Sequence, residues 1–256
     1  MAFASCRFGG ERGGAPVPPH RGGDDRLNAA RPRRPAATWF DSHCHLFDCE
    51  GSVADLKARA RSAGVTEMLV AGTDVATSRR AVELAREPGI YAAAGVHPNE
   101  ATAWGPPLAS SLDQLVDAER VVAVGESGLD FFRAGAPEER QRAAFATHIE
   151  LAIAHDKALI VHTRASIDAA LDMLVAARAR PRTVFHCWSG DAAQLERALV
   201  ETDSPYLSPV PHRGKPNEPA HVVEVGAVVA RARGVDPDVV AHLTSTNARR
   251  LFGMLG

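Results

Sequence analysis

Short apolar runs alternate with helix-patterned stretches from Ala37 onward. The runs are Thr38–Phe40, Glu67–Ala71, Ile90–Val96, Val121–Val124, Leu159–Val161, Thr183–Phe185 and Leu199–Val200. None of them alternates polar with apolar, so each is expected to be covered on both faces, as in a parallel sheet under helices. Between the runs, Leu108, Leu112 and Leu115 recur at helical spacing, as do Ile167, Ala170, Leu171, Leu174 and Val175. Pro137, Glu138 and Glu139 have the proline and acids of a first helical turn. Six or more such units within about 220 residues fit a closed (β/α) barrel better than an open sheet.

Composition narrows the class. Hydrophobic residues make up 45% of the 256, charged residues 23%, and the net charge is −2. That balance suits a soluble globular chain and argues against a globally basic nucleic-acid coat. No apolar run approaches the ~20 residues that cross a bilayer. Cys6, Cys44, Cys49 and Cys187 form no CxxC pair, which points to a reducing, cytoplasmic setting. Residues 1–37 carry seven arginines, six glycines and five prolines without apolar periodicity. Such a segment cannot bury enough surface to offset its ordering entropy, so it is expected to be a disordered, dispensable tail before a barrel spanning 38–256.

The strand ends carry the chemistry. Asp41-Ser42-His43-Cys44-His45 follows the first run, His97 the third, Gly125-Glu126 the fourth, His162-Thr163-Arg164 the fifth and His186 the sixth; Asp203 follows the last. In a barrel all these ends converge on one face, where active sites are built. Strand side chains repeat every two residues, so His43 and His45 point to one side and Cys44 to the other. The same parity turns Phe185 and Cys187 away from His186. A carboxylate such as Glu126 can bridge two cations, and four histidines with two acids suit a pair of divalent ions.

Other histidines read as structural or exposed: His148 and His155 on one helix, His221 and His242 near the C-terminal helices, and His20 in the tail. The proline-stiffened loop 209–217 offers His212, Arg213 and Lys215, a set suited to holding a phosphate and equally suited to a plain solvated loop.

Together these stretches resemble the TatD-like metal-dependent deoxyribonucleases, within the wider amidohydrolase superfamily. The matching motifs are 41–46, 95–98, 125–130, 160–164, 185–190, 201–207 and 211–219, in order along residues 39–253. The resemblance implies a TIM barrel, two divalent ions (Mg²⁺, Mn²⁺, Co²⁺ or Zn²⁺) and hydrolysis of DNA phosphodiester bonds from an end, with single strands or 3′ ends as substrate. It implies that His43, His45 and Asp203 bind one ion and His162 and His186 the other. Glu126 bridges them, and Asp203 takes a proton from the attacking water. His97, Arg164, His212 and Arg213 are then the phosphate contacts.

One interval departs from the family pattern. Successive strand-end landmarks lie 24 to 36 residues apart, yet His186 and Asp203 are separated by 17. The chain is therefore expected to lack one strand–helix unit and to form seven strands, with a helix over Ala192–Leu199 running directly into a truncated last strand. A gapped, marginally stable barrel follows from that count. Two competing readings are a hydrolase of C–N or ester bonds, which in this superfamily often uses a carboxylated lysine as bridge, and a truncated pseudoenzyme.

Overall fold

The computed structural model describes residues 2–5, 37–177, 181–186 and 198–254. Eight strands lie in one sheet: β1 (Ala2–Ser5), β2 (Trp39–Cys44), β3 (Val65–Ala71), β4 (Ile90–Ala94), β5 (Val121–Asp130), β6 (Ala158–Arg164), β7 (Thr183–Phe185) and β8 (Ala198–Val200). Their order is β2-β3-β4-β5-β6-β7-β1-β8, and every pairing is parallel. The helices are α1 (Val53–Ser62), α2 (Val75–Leu84), α3 (Pro106–Val116), α4 (Glu138–Ala154), α5 (Ile167–Ala176), α6 (Val222–Arg233) and α7 (Pro237–Leu251). All seven apolar runs overlap strands, with Thr38 just before β2 and Gly95 and Val96 just beyond β4, and three of the predicted helices are α3, α4 and α5.

The sheet curls until its two ends meet. Asp203 N–H donates to the carbonyl of His43 (2.9 Å), His45 N–H donates to Ser204 (2.6 Å), and Cys44 and Ser204 form a parallel bridge. Asp41 reinforces this seam: its buried carboxylate accepts from Thr202 N–H (2.9 Å) and Thr202 Oγ1 (2.6 Å). Burial pushes the Asp41 pKa up to about 7 despite those bonds.

The seven-strand expectation is corrected here. Ala2–Ser5 lies between β7 and β8, pairing Phe3 with Phe185 on one side and with Ala198 on the other. The short run Ala2-Phe3-Ala4-Ser5 thus takes the strand position that the 17-residue interval leaves vacant. The rest of the tail, 1 and 6–36, lies outside the described residues, as does most of the helix expected over Ala192–Leu199. Its last two residues, Ala198 and Leu199, belong to β8.

Two apolar layers follow from strand alternation. Met68, Val70, Leu159, Val161 and Phe185 face the helices, packed with Leu56, Leu112, Phe145 and Val229. Leu69, Ala71, Ala93, Ala123, Ala158, Ile160 and Val184 face inward, where Phe40, Ala248 and Phe252 complete a second cluster. The end of α7 therefore plugs the barrel interior, and Ser245 Oγ anchors it by accepting from Phe40 N–H (3.0 Å) and donating to the Thr38 carbonyl (3.0 Å).

His148, on α4, is buried and structural. Its Nε2 accepts from Val96 N–H (2.9 Å), while Nδ1 donates to the Ala144 carbonyl (2.6 Å). Burial lowers its pKa to about 4. Because the folded value lies below the ordinary 6.5, the unfolded chain takes up this proton first. The associated stability is present above about pH 6.5 and lost as pH falls toward 4. At about 1.4 kcal/mol per pH unit, His148 is expected to remove about 2 kcal/mol between pH 7 and pH 5. Urea midpoints at the two pH values, compared with those of His148→Gln, measure it; equal pH dependence in both proteins would exclude the effect.

Candidate metal centre

Inward alternation delivers the site. Ala158 and Ile160 face the interior, and so does His162, the next residue of that parity. Val184 does likewise for His186. On β2 simple alternation from the inward Phe40 would bring Cys44 inside. An irregular register between Asp41 and Cys44 shifts the phase, so His43 and His45 turn in while Cys44 joins the outer layer. Glu126 sits at a second irregularity, between Val124 and Ser127. Its approach depends on glycine: a Cβ on Gly95 would lie 2.4 Å from the carbonyl carbon of Gly125. Asp203 has φ +54°, a left-handed conformation that aspartate tolerates better than most residues.

The two oxygens of Glu126 face different groups. Oε2 lies 3.4 Å from His43 Nε2 and 3.6 Å from His45 Nε2. Oε1 lies 2.6 Å from His186 Nε2, 3.1 Å from His162 Nδ1 and 3.5 Å from His97 Nε2. Asp203 Oδ1 completes the first group, 3.6 Å from His45 Nε2 and 3.9 Å from His43 Nε2. Among the described residues, three sets of donor atoms are close enough to hold a cation: His43–His45–Asp203, His43–Glu126–His186 and His97–Glu126–His162.

Tautomers discriminate among these histidines. His45 Nδ1 donates to the Ala71 carbonyl (2.8 Å), which leaves a lone pair on Nε2 toward the centre. His97 is the reverse: Nδ1 accepts from Asn99 N–H (3.1 Å), so in the neutral ring Nε2 carries the proton. Burial lowers the His97 pKa to about 4 and keeps that ring neutral. His97 thus presents a hydrogen-bond donor and not a ligand lone pair.

Charge is concentrated without matching bonds. His43 Nδ1, His162 Nε2 and His186 Nδ1 are buried with no hydrogen-bond partner. Burial, then the adjacent His186, lowers the His43 pKa to about 4. Burial opposes charge on His186 too, but the Glu126 carboxylate overrides it and pushes that pKa up to about 10. Glu126 is itself buried, yet its imidazole neighbours hold it well below the carboxylate range. Imidazole nitrogens 3.1 and 3.3 Å apart, at His162–His186 and His43–His45, are crowded donors of the kind a divalent cation relieves. The residues fit metal ions.

The other expected contacts fall at the rim or away from it. Arg164 is exposed, its guanidinium 4.0 Å above the Phe132 ring. His212 stacks on His221 at 3.8 Å and points its Nε2 toward Glu224, so it is drawn off the centre. Arg213 is exposed on the same loop. That loop is built around buried Asn217, whose Nδ2 donates to the carbonyls of Thr202 (2.9 Å) and Tyr206 (2.6 Å). The proline-rich stretch therefore braces the segment that follows β8.

A further pair was not singled out from sequence. Asp130 Oδ2 accepts from Asn99 Nδ2 (3.1 Å) and lies 3.4 Å from His162 Nε2, while Oδ1 accepts from the amides of Phe132 and Arg133 (each 3.0 Å). Asn99 thus fixes both the His97 tautomer and the carboxylate behind His162. The signal was the acid closing Gly-Glu-Ser-Gly-Leu-Asp, four residues along the same strand from the predicted bridge.

Residues 40–199 and 192–253 match the sequence model of the family described as TatD related DNase. The chain belongs to that family. Among its TatD relatives, the "uncharacterized metal-dependent hydrolase TatD" of Mycobacterium tuberculosis is 36% identical over 259 aligned positions, covering 84% of this chain and 97% of that protein. The "3'-5' ssDNA/RNA exonuclease TatD" of Erwinia billingiae is 34% identical, covering 76% and 90%. The crystal structure of the TatD homologue YJJV from Escherichia coli superposes with a TM-score of 0.77 at 28% identity, over 86% of this chain and 99% of that one. Because 84% of 256 residues is about 215, the mycobacterial TatD has about 44 aligned positions that this chain lacks. The two matched segments meet at 192–199, which places the shortfall beside β8. That is enough for one strand–helix unit, since such units recur every 24 to 36 residues elsewhere in this chain.

Proposed function

We propose that this TatD-family chain is a divalent-metal-dependent exonuclease acting on single-stranded nucleic acid, with the water-activating centre around Glu126. The observation that carries the reading is the division of Glu126: one oxygen toward His43 and His45, the other toward His162 and His186. In this reading His43, His45 and Asp203 would hold one ion, His162 and His186 would hold a second, and Glu126 would be shared between them. Divalent ions there would supply an acidified water and charge stabilisation at the phosphoryl oxygens.

The remaining steps belong to the chain's own groups. Asp203, held below its ordinary pKa by His45 and its neighbours against the effect of burial, is an ionised base at neutral pH, placed to accept the proton of the attacking water. His97 Nε2–H donates to a phosphoryl oxygen, a role that its tautomer suits. Arg164 and Arg213 contact backbone phosphates at the rim.

The C–N or ester alternative finds less support. The bridging place is occupied by Glu126, whereas Lys57 pairs with Glu87 and Lys157 donates to the Val121 carbonyl, both on the outer surface or its edge. The pseudoenzyme reading loses its main ground, since Asp203 is tied to His43 by a backbone bond despite the shortened interval.

The test is direct. Purified protein with Mg²⁺, Mn²⁺ or Co²⁺ is expected to shorten a 3′-labelled or 5′-labelled single strand stepwise, and EDTA to stop it. Products resolved on a gel also give polarity. Activity on a dipeptide or lactone reporter with none on oligonucleotides would overturn the proposal.

A further inference from the structure

Exposed large apolar side chains are scattered singly on most surfaces and need no explanation. Here, half of those among the described residues sit on two loops at one rim: Phe132 after β5, and Tyr206, Leu207 and Val210 after β8. Phe132 is 68% exposed and Tyr206 53%. Both loops are tied to the metal centre. Phe132 N–H is held by Asp130, the acid beside His162, and the Tyr206 ring lies 5.7 Å from that of His45. His162 and His45 flank opposite oxygens of Glu126. The two loops that carry these rings therefore flank the place where a phosphodiester would sit.

Their surroundings favour a nucleobase over an apolar protein partner. Arg164 covers one face of Phe132 at 4.0 Å and leaves the ring otherwise open, and Arg133 is exposed beside it. An aromatic ring with adjoining guanidinium groups offers a stacking surface for a base and cations for the neighbouring phosphates. A protein interface would be expected to cover such a ring with apolar neighbours, and none of the large exposed ones lies on the β5 loop besides Phe132.

We propose that Phe132 and Tyr206 are base-stacking platforms on either side of the centre, gripping the terminal nucleotides of a single strand without regard to sequence. Each platform takes an unpaired base, so a duplex end must fray before it can bind. The inference deepens the nuclease reading and rests on it.

The test uses fluorescence anisotropy of a phosphorothioate-protected, labelled single strand in Mg²⁺, alongside KM and kcat on the unprotected strand. Stacking is worth ~1–3 kcal/mol per base, so Phe132→Ala is expected to raise Kd and KM about 10-fold, with kcat changed less. Phe132→Trp is expected to restore binding to within about twofold of wild type, because a larger ring stacks at least as well. With an abasic oligonucleotide of equal length, the gap between wild type and Phe132→Ala is expected to close. Wild-type cleavage with Phe132→Ala binding as tightly as wild type, or an equal loss on the abasic strand, would overturn this inference alone. A wild-type protein that neither binds nor cuts single strands would overturn the nuclease reading and the inference with it.

Discussion

Glu126→Gln is expected to lower divalent-metal-supported hydrolysis of single-stranded DNA by at least ~10³-fold. The amide keeps the shape of the side chain but removes the one negative charge that faces both imidazole groups, and turns an N–H toward one of them. Charge stabilisation by bound ions is worth several kcal/mol, and each 1.4 kcal/mol is tenfold in rate. The melting temperature should change little, because Glu126 contacts the imidazoles of the site and not the apolar layers. Metal content after dialysis, measured by mass spectrometry, should fall along with the rate. A variant that keeps two ions per chain and turns over at the wild-type rate would remove Glu126 from the bridging position.

Deleting residues 1–5 is expected to lower the melting temperature by about 10 °C. The strand they form is bonded on both sides, so its loss creates two sheet edges inside a curled sheet. Each orphaned backbone group costs on the order of 1–3 kcal/mol, and partial hydration brings the total to about 3 kcal/mol. For a chain of this size, ~1 kcal/mol corresponds to ~2–4 °C. Calorimetry of the truncated and full-length proteins checks this. An unchanged melting temperature would return residues 2–5 to the role of a loose tail. Inserting a strand–helix segment of about 44 residues before β8 should abolish the sensitivity, since the added strand would then fill the same slot.

The residues that cluster as candidate metal ligands were legible because their signals are local. A histidine pair two apart, an acid between glycines and single histidines at apolar run ends all declare themselves within a few residues. Two features were hidden because they depend on distant partners. One is the register irregularity opposite β3: His43 was expected to turn inward, but alternation counted from Phe40 would have sent that imidazole to the outer layer without it. Ala2–Ser5 is a four-residue run beside arginine, glycine and proline, with no local periodicity, and its strand character is set by β7 and β8 some 180 residues away. The setting of His212 was open for a related reason: a basic loop looks alike in sequence whether its imidazole faces a phosphate or, as here, stacks on His221.

The place of Ala2–Ser5 in the sheet has a consequence for biosynthesis. These residues leave the ribosome long before Thr183–Phe185 and Ala198–Val200, the segments that receive them. While β2 to β6 can pair in the order in which they are made, this slot can close only near the end of translation. Contacts at such sequence separation are slow to form, and unpaired edges are sticky in the meantime. In a crowded cell the β7 and β8 edges would be open to the same four residues of a neighbouring nascent chain, so yield should depend on how densely ribosomes load the message.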